Sequence, residues 1–280
     1  MPDNVRTKKR GFLLILMISL LTIGLYFYFD QRQQTKTISE APAPVSVIAH
    51  DPKSVEDGID DIPVPDFSSY KEVVKKKKAF FSYLLPEIRK QNNLVRAERM
   101  QVLAMHERTP QADDLPAAEQ DILDKLRFKY KVDEKLNNKD AVAELLKRVD
   151  IIPAELILVQ AANESGWGTS RFAQKGYNFF GLWCFKKDCG FVPRQRDKGT
   201  VHEVAKFRNL SHAVMTYLRN LNRHYAYAQL REIRYQQRQT NTPVTAKALV
   251  QGLKSYSERG TDYIDELLSM MRVNKKHMGL

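Results

Sequence analysis

The feature that most restricts this chain is a short apolar run closed by two glycines. Pro153, well suited to a helix's first turn, precedes Ala154, Leu156, Ile157, Leu158 and Val159, and then Gln160-Ala161-Ala162-Asn163-Glu164-Ser165-Gly166-Trp167-Gly168. Helical spacing sets Leu156, Val159 and Asn163 along one side and stacks Gln160 and Glu164 one turn apart. Gly166 supplies the stop. The helix is predicted to be mostly buried, and it ends in a lone acid next to an aromatic and two glycines that let a ligand approach. Burial beside Trp167 raises the pKa of Glu164 and keeps it protonated, as a general acid must be near neutral pH. The same spacing also fits a plainer role, in which Glu164 caps the turn or pairs with Arg171.

The rest of the chain is mainly helical in period. From 66 to 108, Val73, Phe80, Phe81, Leu84, Leu85, Ile88, Val95 and Leu103 recur at turns of a helix, with Pro86 expected to kink or break it. Lys75 to Lys78 reads as a solvated face. Amphipathic helices follow over 119–130 and 140–149. Residues 66–139 are therefore predicted to form a helical preface to a motif-bearing domain spanning 140–280. The period changes at 191–207, where two short strands around Asp197-Lys198-Gly199 predict a small β-hairpin. Strand alternation places Glu203 on the apolar face with Val201, Ala205 and Phe207. The pattern then returns to helix: Ser211 caps a segment bearing Tyr217 and Tyr225, Thr242-Pro243 opens another, and Thr261 caps a last one bearing Tyr263.

Compartment follows from the N-terminus. Arg6, Lys8, Lys9 and Arg10 precede an uncharged run over 11–29, close to the roughly 20 residues a helix needs to cross a bilayer. Basic residues on that side predict a cytoplasmic N-terminus (1–30 with the anchor) and an exported remainder, and no small-x-small cleavage site precedes Asp30. Residues 31–65 are polar and proline-punctuated, an extended linker. A net charge of +12 suits nucleic acid, an anionic membrane surface or a cell-wall polymer. With no zinc-finger, RNP or P-loop pattern, nucleic acid is not assigned as a partner. Cys184 and Cys189 are expected to close a disulfide in an oxidising compartment. The histidines show no metal-ligand spacing and no Gly-x-Ser-x-Gly elbow occurs, so no metal or cofactor is assigned.

Two motifs in register carry a resemblance. Glu164-Ser165-Gly166-Trp167-Gly168, followed after a short gap by Tyr177-Asn178-Phe179-Phe180-Gly181-Leu182-Trp183, resembles the glucosaminidase family of peptidoglycan hydrolases and, within it, the Bax-type branch. The likeness spans residues 140–273. It implies a lysozyme-like fold in which a cleft divides helices from the hairpin. It also implies peptidoglycan glycan strands as substrate, cut at the β-1,4 bond after N-acetylglucosamine, with Glu164 protonating the leaving oxygen. Glu203 is the expected second carboxylate and Asp197 its rival, because this hairpin is shorter than the family's and the register slips. The alternative to both is the substrate's own N-acetyl group. Trp167, Tyr177, Asn178, Phe180 and Trp183 are the expected substrate-binding residues, with Phe179 assigned to the core. Tyr263, from the closing segment 252–263, is added to them, with Tyr256 second. The protein is expected to be a monomer anchored in the bacterial inner membrane with its catalytic domain in the periplasm. A lytic transglycosylase and a non-catalytic wall-binding scaffold are the competing readings.

Overall fold

The computed structural model describes residues 62–108, 114–193 and 202–280. The expected membrane anchor over 11–29, the linker up to residue 61 and the hairpin tip with Asp197 and Val201 lie outside the described residues. No helix among the described residues is long and apolar enough to cross a membrane.

The first helix, α1 (Val73–Arg108), runs unbroken through Pro86. Of the predicted kink or break, the break is absent because Phe80, Phe81, Leu84 and Leu85 before the proline and Ile88 after it are all buried in one core. Full burial of such side chains is worth roughly 1.5–3 kcal/mol each, more together than the roughly 3 kcal/mol an internal proline costs. The two halves of α1 serve different cores. Its first half packs with α4 (Ala154–Ser165), α6 (Leu210–Arg223) and α9 (Thr261–Asn274) in the main core. Its second half, with Val95, Val102 and Met105, joins α2 (Ala117–Tyr130) and α3 (Asn138–Arg148) around Leu123, Leu126, Val142 and Leu145. The preface is thus threaded into the main core by α1, and α3 packs back onto the preface.

A buried charge network sits where these parts meet. Asp150, 1 % exposed, takes both nitrogens of a fork from Arg238 (2.8 and 2.9 Å) and lies 3.5 Å from Arg99 Nε. Arg234, equally enclosed, donates to the carbonyls of Lys147, Arg148, Asp150 and Ile151 and to Asn222 Oδ1. Both arginines lie on α7 (Ala228–Gln239), a helix that periodicity does not announce because its buried face is Leu230, Arg231 and Arg234 rather than an apolar stripe.

The β region is a three-stranded antiparallel sheet in the order β1-β3-β2. Strands β2 (Gly190–Phe191) and β3 (Glu203–Ala205) are the expected pair, with Phe191 opposite Val204. Strand β1 (Trp183–Cys184), opposite Val204 and Glu203, was not expected, since two residues are too few to display a period. The expected disulfide is formed: Cys184 and Cys189, with Cα atoms 6.2 Å apart, tie β1 to the approach of β2. Gly190 is required there, because a Cβ on it would fall 2.0 Å from the Val204 carbonyl oxygen. The predicted alternation on β3 does not hold, since Glu203, Val204 and Ala205 are all buried.

Three helix starts also differ, and at the last of them Thr261 is the first residue of α9 behind Gly260 and not its cap. Asn209, whose side chain accepts from the His212 N–H, starts α6 in place of Ser211. Tyr225 stands 76 % exposed in the turn beyond that helix. The Thr242-Pro243 segment leads to a single turn, α8 (Ala246–Leu249), capped by Thr245.

Candidate active site

Glu164 occupies the last turn of α4, and the chain reverses sharply behind it. Gly166, Trp167 and Gly168 all adopt left-handed backbone, with φ of 57°, 60° and 76°. Gly166 closes the helix as expected. Trp167 is the strained member, since a side chain resists that region. Ser165 holds the turn: its hydroxyl donates to the Ala161 carbonyl and accepts from the Gly168 N–H at 2.8 Å. A Cβ at Gly168 would come within 2.4 Å of the Phe67 ring, so the turn can pack this tightly on the N-terminal segment only with glycine there.

The carboxyl of Glu164 is enclosed by tyrosines. Tyr263 on α9 donates to its Oε1 at 2.8 Å. Tyr256 stacks parallel on Tyr263 at 5.7 Å and donates to the Phe180 carbonyl at 2.8 Å. Phe180 in turn stacks on Tyr217 at 4.1 Å. This burial pushes Glu164 up to about 6, although the Tyr263 hydrogen bond and the nearby Arg259 pull the other way. Its position in the last turn of a helix, where the dipole disfavours an anion, acts in the same direction as burial. The acid is therefore expected to hold its proton up to about pH 6 while still bordering open space.

That space is a cleft of about 400 Å³ lined by Glu164, Phe180, Gly181, Leu182 and Trp183. Tyr227, Tyr256 and the segment Ser257-Glu258-Arg259 complete the lining. Gly181, with φ of 63°, brings backbone against the acid, and a Cβ there would lie 3.2 Å from Glu164 Oε2. Trp183 is half-buried and lies flat on His202, with ring centroids 4.0 Å apart and planes within 4°. A proton donor beside a flat aromatic wall in a partly closed cleft suits acid-assisted cleavage of a ligand with flat C–H faces.

Comparison with known proteins points the same way. The Glucosaminidase family pattern, described as mannosyl-glycoprotein endo-beta-N-acetylglucosaminidase, matches residues 139–276. Protein bax of Escherichia coli (strain K12) is 34 % identical over 213 residues, covering 76 % of this chain and 75 % of that protein. The chain belongs to the glucosaminidase family. No solved structure matches it. Membership supports a glycosidase acting on a glycan, while the name of the relative states no activity.

The two glucosaminidase motifs divide in space. Phe180 and Trp183 line the cleft with Glu164, and Tyr263 touches the acid. Tyr263 is 2 % exposed, however, and its hydroxyl is engaged by Glu164 and Gln160, so it serves the acid instead of facing a sugar. Trp167 points away from the cleft, packed edge-on against Phe80 and Phe81 with Lys77 Nζ 4.9 Å from its ring centre. The burial of Glu164 thus comes from the tyrosines and Phe180 instead of Trp167. Tyr177 closes α5 (Arg171–Gly176) in left-handed backbone and packs against the main core. Asn178 is buried: it donates to the Leu182 and Ala205 carbonyls and accepts from the Leu182 N–H, which holds the loop carrying Gly181. Phe179 is core, as expected.

Glu203 is not among the residues lining the cleft. Its Oε1 accepts from the Asp188 N–H at 3.1 Å and its Oε2 from the Gly190 N–H at 2.7 Å, so the carboxylate ties down the disulfide loop. The sulfurs of Cys184 and Cys189 lie near the same carboxylate, but they are bonded to each other and are not thiolate ligands. Glu258, Arg259 and Tyr227 border the cleft without having been picked out from sequence. Glu258 and Arg259 fall in what reads as a helix end, and only the folding of that segment over the cleft reveals them.

Proposed function

We propose that the protein is a peptidoglycan hydrolase that cuts the β-1,4 bond after N-acetylglucosamine, with Glu164 as the general acid. The carrying observation is a carboxyl raised to about 6 at the edge of a cleft walled by Trp183 and Phe180. A glycan strand lies across Trp183, and Glu164 protonates the leaving glycosidic oxygen as positive charge develops at the sugar. Glu203 holds the sheet, and the substrate's N-acetyl group, not a second protein carboxylate, assists departure and is then displaced by water. No metal or cofactor is needed on this route. The apolar run over 11–29 anchors the chain in the bacterial inner membrane and leaves the folded part in the periplasm, acting as a monomer.

The same single-acid geometry also supports a lytic transglycosylase, in which a hydroxyl of the sugar replaces water and leaves an anhydro end. Purified peptidoglycan incubated with the full-length chain and with Glu164→Gln, and read by mass spectrometry, separates the readings. Reducing N-acetylglucosamine ends from wild type alone are expected. Anhydro-muramic ends would make the protein a transglycosylase. Binding without new ends from either protein would make it a wall-binding scaffold.

A further inference from the structure

Behind Glu164 the polar side chains stand in single file. Tyr217 on α6 donates to Gln160 Oε1 at 2.6 Å, and Gln160, one turn before the acid on α4, donates from Nε2 to the Tyr263 hydroxyl at 3.0 Å. Tyr263 then donates to Glu164 Oε1 at 2.8 Å. A hydroxyl has one hydrogen to give, so the direction of the whole file is set at its far end. Tyr217 is fully buried under Phe180, and Gln160 Oε1 is the acceptor for its hydrogen. Turning the Gln160 amide over would strand that hydrogen in the core, which burial opposes.

With the amide so fixed, the Gln160 N–H fills the acceptor side of Tyr263, and Tyr263 must give its own hydrogen to Glu164. Oε1 is then an acceptor whether or not the acid is charged. A proton on Glu164 is left to Oε2, the oxygen beside Gly181 at the cleft.

We propose that Tyr217, acting through Gln160 and Tyr263, is a positioning residue that keeps the proton of Glu164 on the cleft-side oxygen. The proposal rests on Glu164 being the general acid. Neither Tyr217 nor Gln160 lines the cleft, so neither acts on substrate directly. Without the Tyr217 hydroxyl, the amide is free to turn. Tyr263 then donates to Gln160 and accepts from Glu164, whose proton moves to Oε1, away from the cleft. The number of protons is unchanged and only the direction of the file reverses. The groups that face Glu164 besides Tyr217 and Tyr263 are Tyr227, Tyr256, Arg259 and Glu266, and Tyr217→Phe leaves all of them in place.

Infrared difference spectra of the full-length protein, wild type minus Glu164→Gln and titrated across pH, read the proton directly. In wild type the protonated carboxyl is expected to show a C=O stretch lowered by an accepted hydrogen bond. In Tyr217→Phe the band should rise, because the C=O of Glu164 now faces the cleft and no longer accepts from a buried phenol. The midpoint should move above the wild-type value of about 6 with the loss of a donor to the carboxylate. Glycan cleavage should fall in kcat by about tenfold with KM unchanged. Tyr217→Met, which also removes the hydroxyl and fills the space with a flexible side chain, should repeat the pattern if Tyr217→Phe does not fold. Gln160→Met should not, because Tyr263 then keeps Glu164 as its acceptor. An unmoved band and midpoint in a folded Tyr217 variant would overturn the proposal, as would a C=O band free of hydrogen bonding in wild type. A wild type that shows the expected bands yet cleaves no glycan would sink the hydrolase reading alone, because the band needs no turnover.

Discussion

Glu164 and Asp150 flank the same helix, one in its last turn and the other four residues ahead of its start, and both are largely withdrawn from water. Their surroundings differ in one respect. Around Asp150 stand Arg99, Arg234 and Arg238, and together they hold it below its usual range despite burial. Around Glu164 stand neutral hydroxyls and rings, with Arg259 the nearby cation among the described residues and Glu266 opposing it, and burial wins. Arg259 is about half exposed and spends itself on Glu266, so water and that partner blunt its pull. A buried carboxylate given arginines becomes a joint between helices; one given tyrosines becomes an acid. The contrast separates a structural joint from the carboxyl proposed to act as the acid.

Substitutions can break that contrast. The largest effect is expected from Glu164→Gln, which should lower the rate of glycan cleavage by about 10²–10⁴-fold, measured as released reducing ends, with the fold intact. Asp150→Ala should do the reverse. It should cost about 3–5 kcal/mol in chemical denaturation by leaving Arg234 and Arg99 uncompensated, while the activity of the remaining folded molecules stays near wild type. Equal loss of activity per folded molecule in both variants would mean that the joint and the site are one unit. Glu203→Gln tests a third buried carboxylate. Loosening the disulfide loop is expected to cost roughly 1–3 kcal/mol with little change in kcat, and a hundredfold fall in kcat would return Glu203 to the chemistry.

The smallest and most diagnostic effect is in pH dependence. The native pKa of Glu164 is raised from 4.5 to about 6, so its contribution favours folding below pH 4.5 and is lost as pH rises through 6. For Asp150, held low, the contribution is present above 3.8 and is lost as pH falls through its lowered native value. Glu164→Gln should therefore match wild type at pH 4 and exceed it at pH 8 by up to about 2 kcal/mol. A stability difference that does not change between those pH values would show that Glu164 is not raised.

The cleft divides into what spacing alone reveals and what it does not. The end of α4 was legible, because an apolar run, a stacked Gln160 and Glu164, and a closing glycine impose a local geometry that needs no partner. Phe180 and Trp183 were legible through the resemblance of the 177–183 motif to the glucosaminidases, not through spacing. Trp167 was misplaced because left-handed backbone at 167 turns its ring to α1, and no propensity foretells that in a tryptophan. Glu203 was misplaced because a two-sided burial of β3 cancels the alternation from which its face was read.

Sequence by itself determined the helical class, the candidate acid, the disulfide partners and the family, since each rests on residues close together along the chain. Tertiary structure alone decided which oxygen of Glu164 meets Tyr263, what Asp150 and Arg234 join, and that Glu203 anchors a loop. The physical reason is range. Caps, periods and turns are settled among neighbours within a few residues. The charge or neutrality of a buried group depends on whatever helices bring to within a few ångströms, here Tyr263 from 99 residues away and Arg238 from 88.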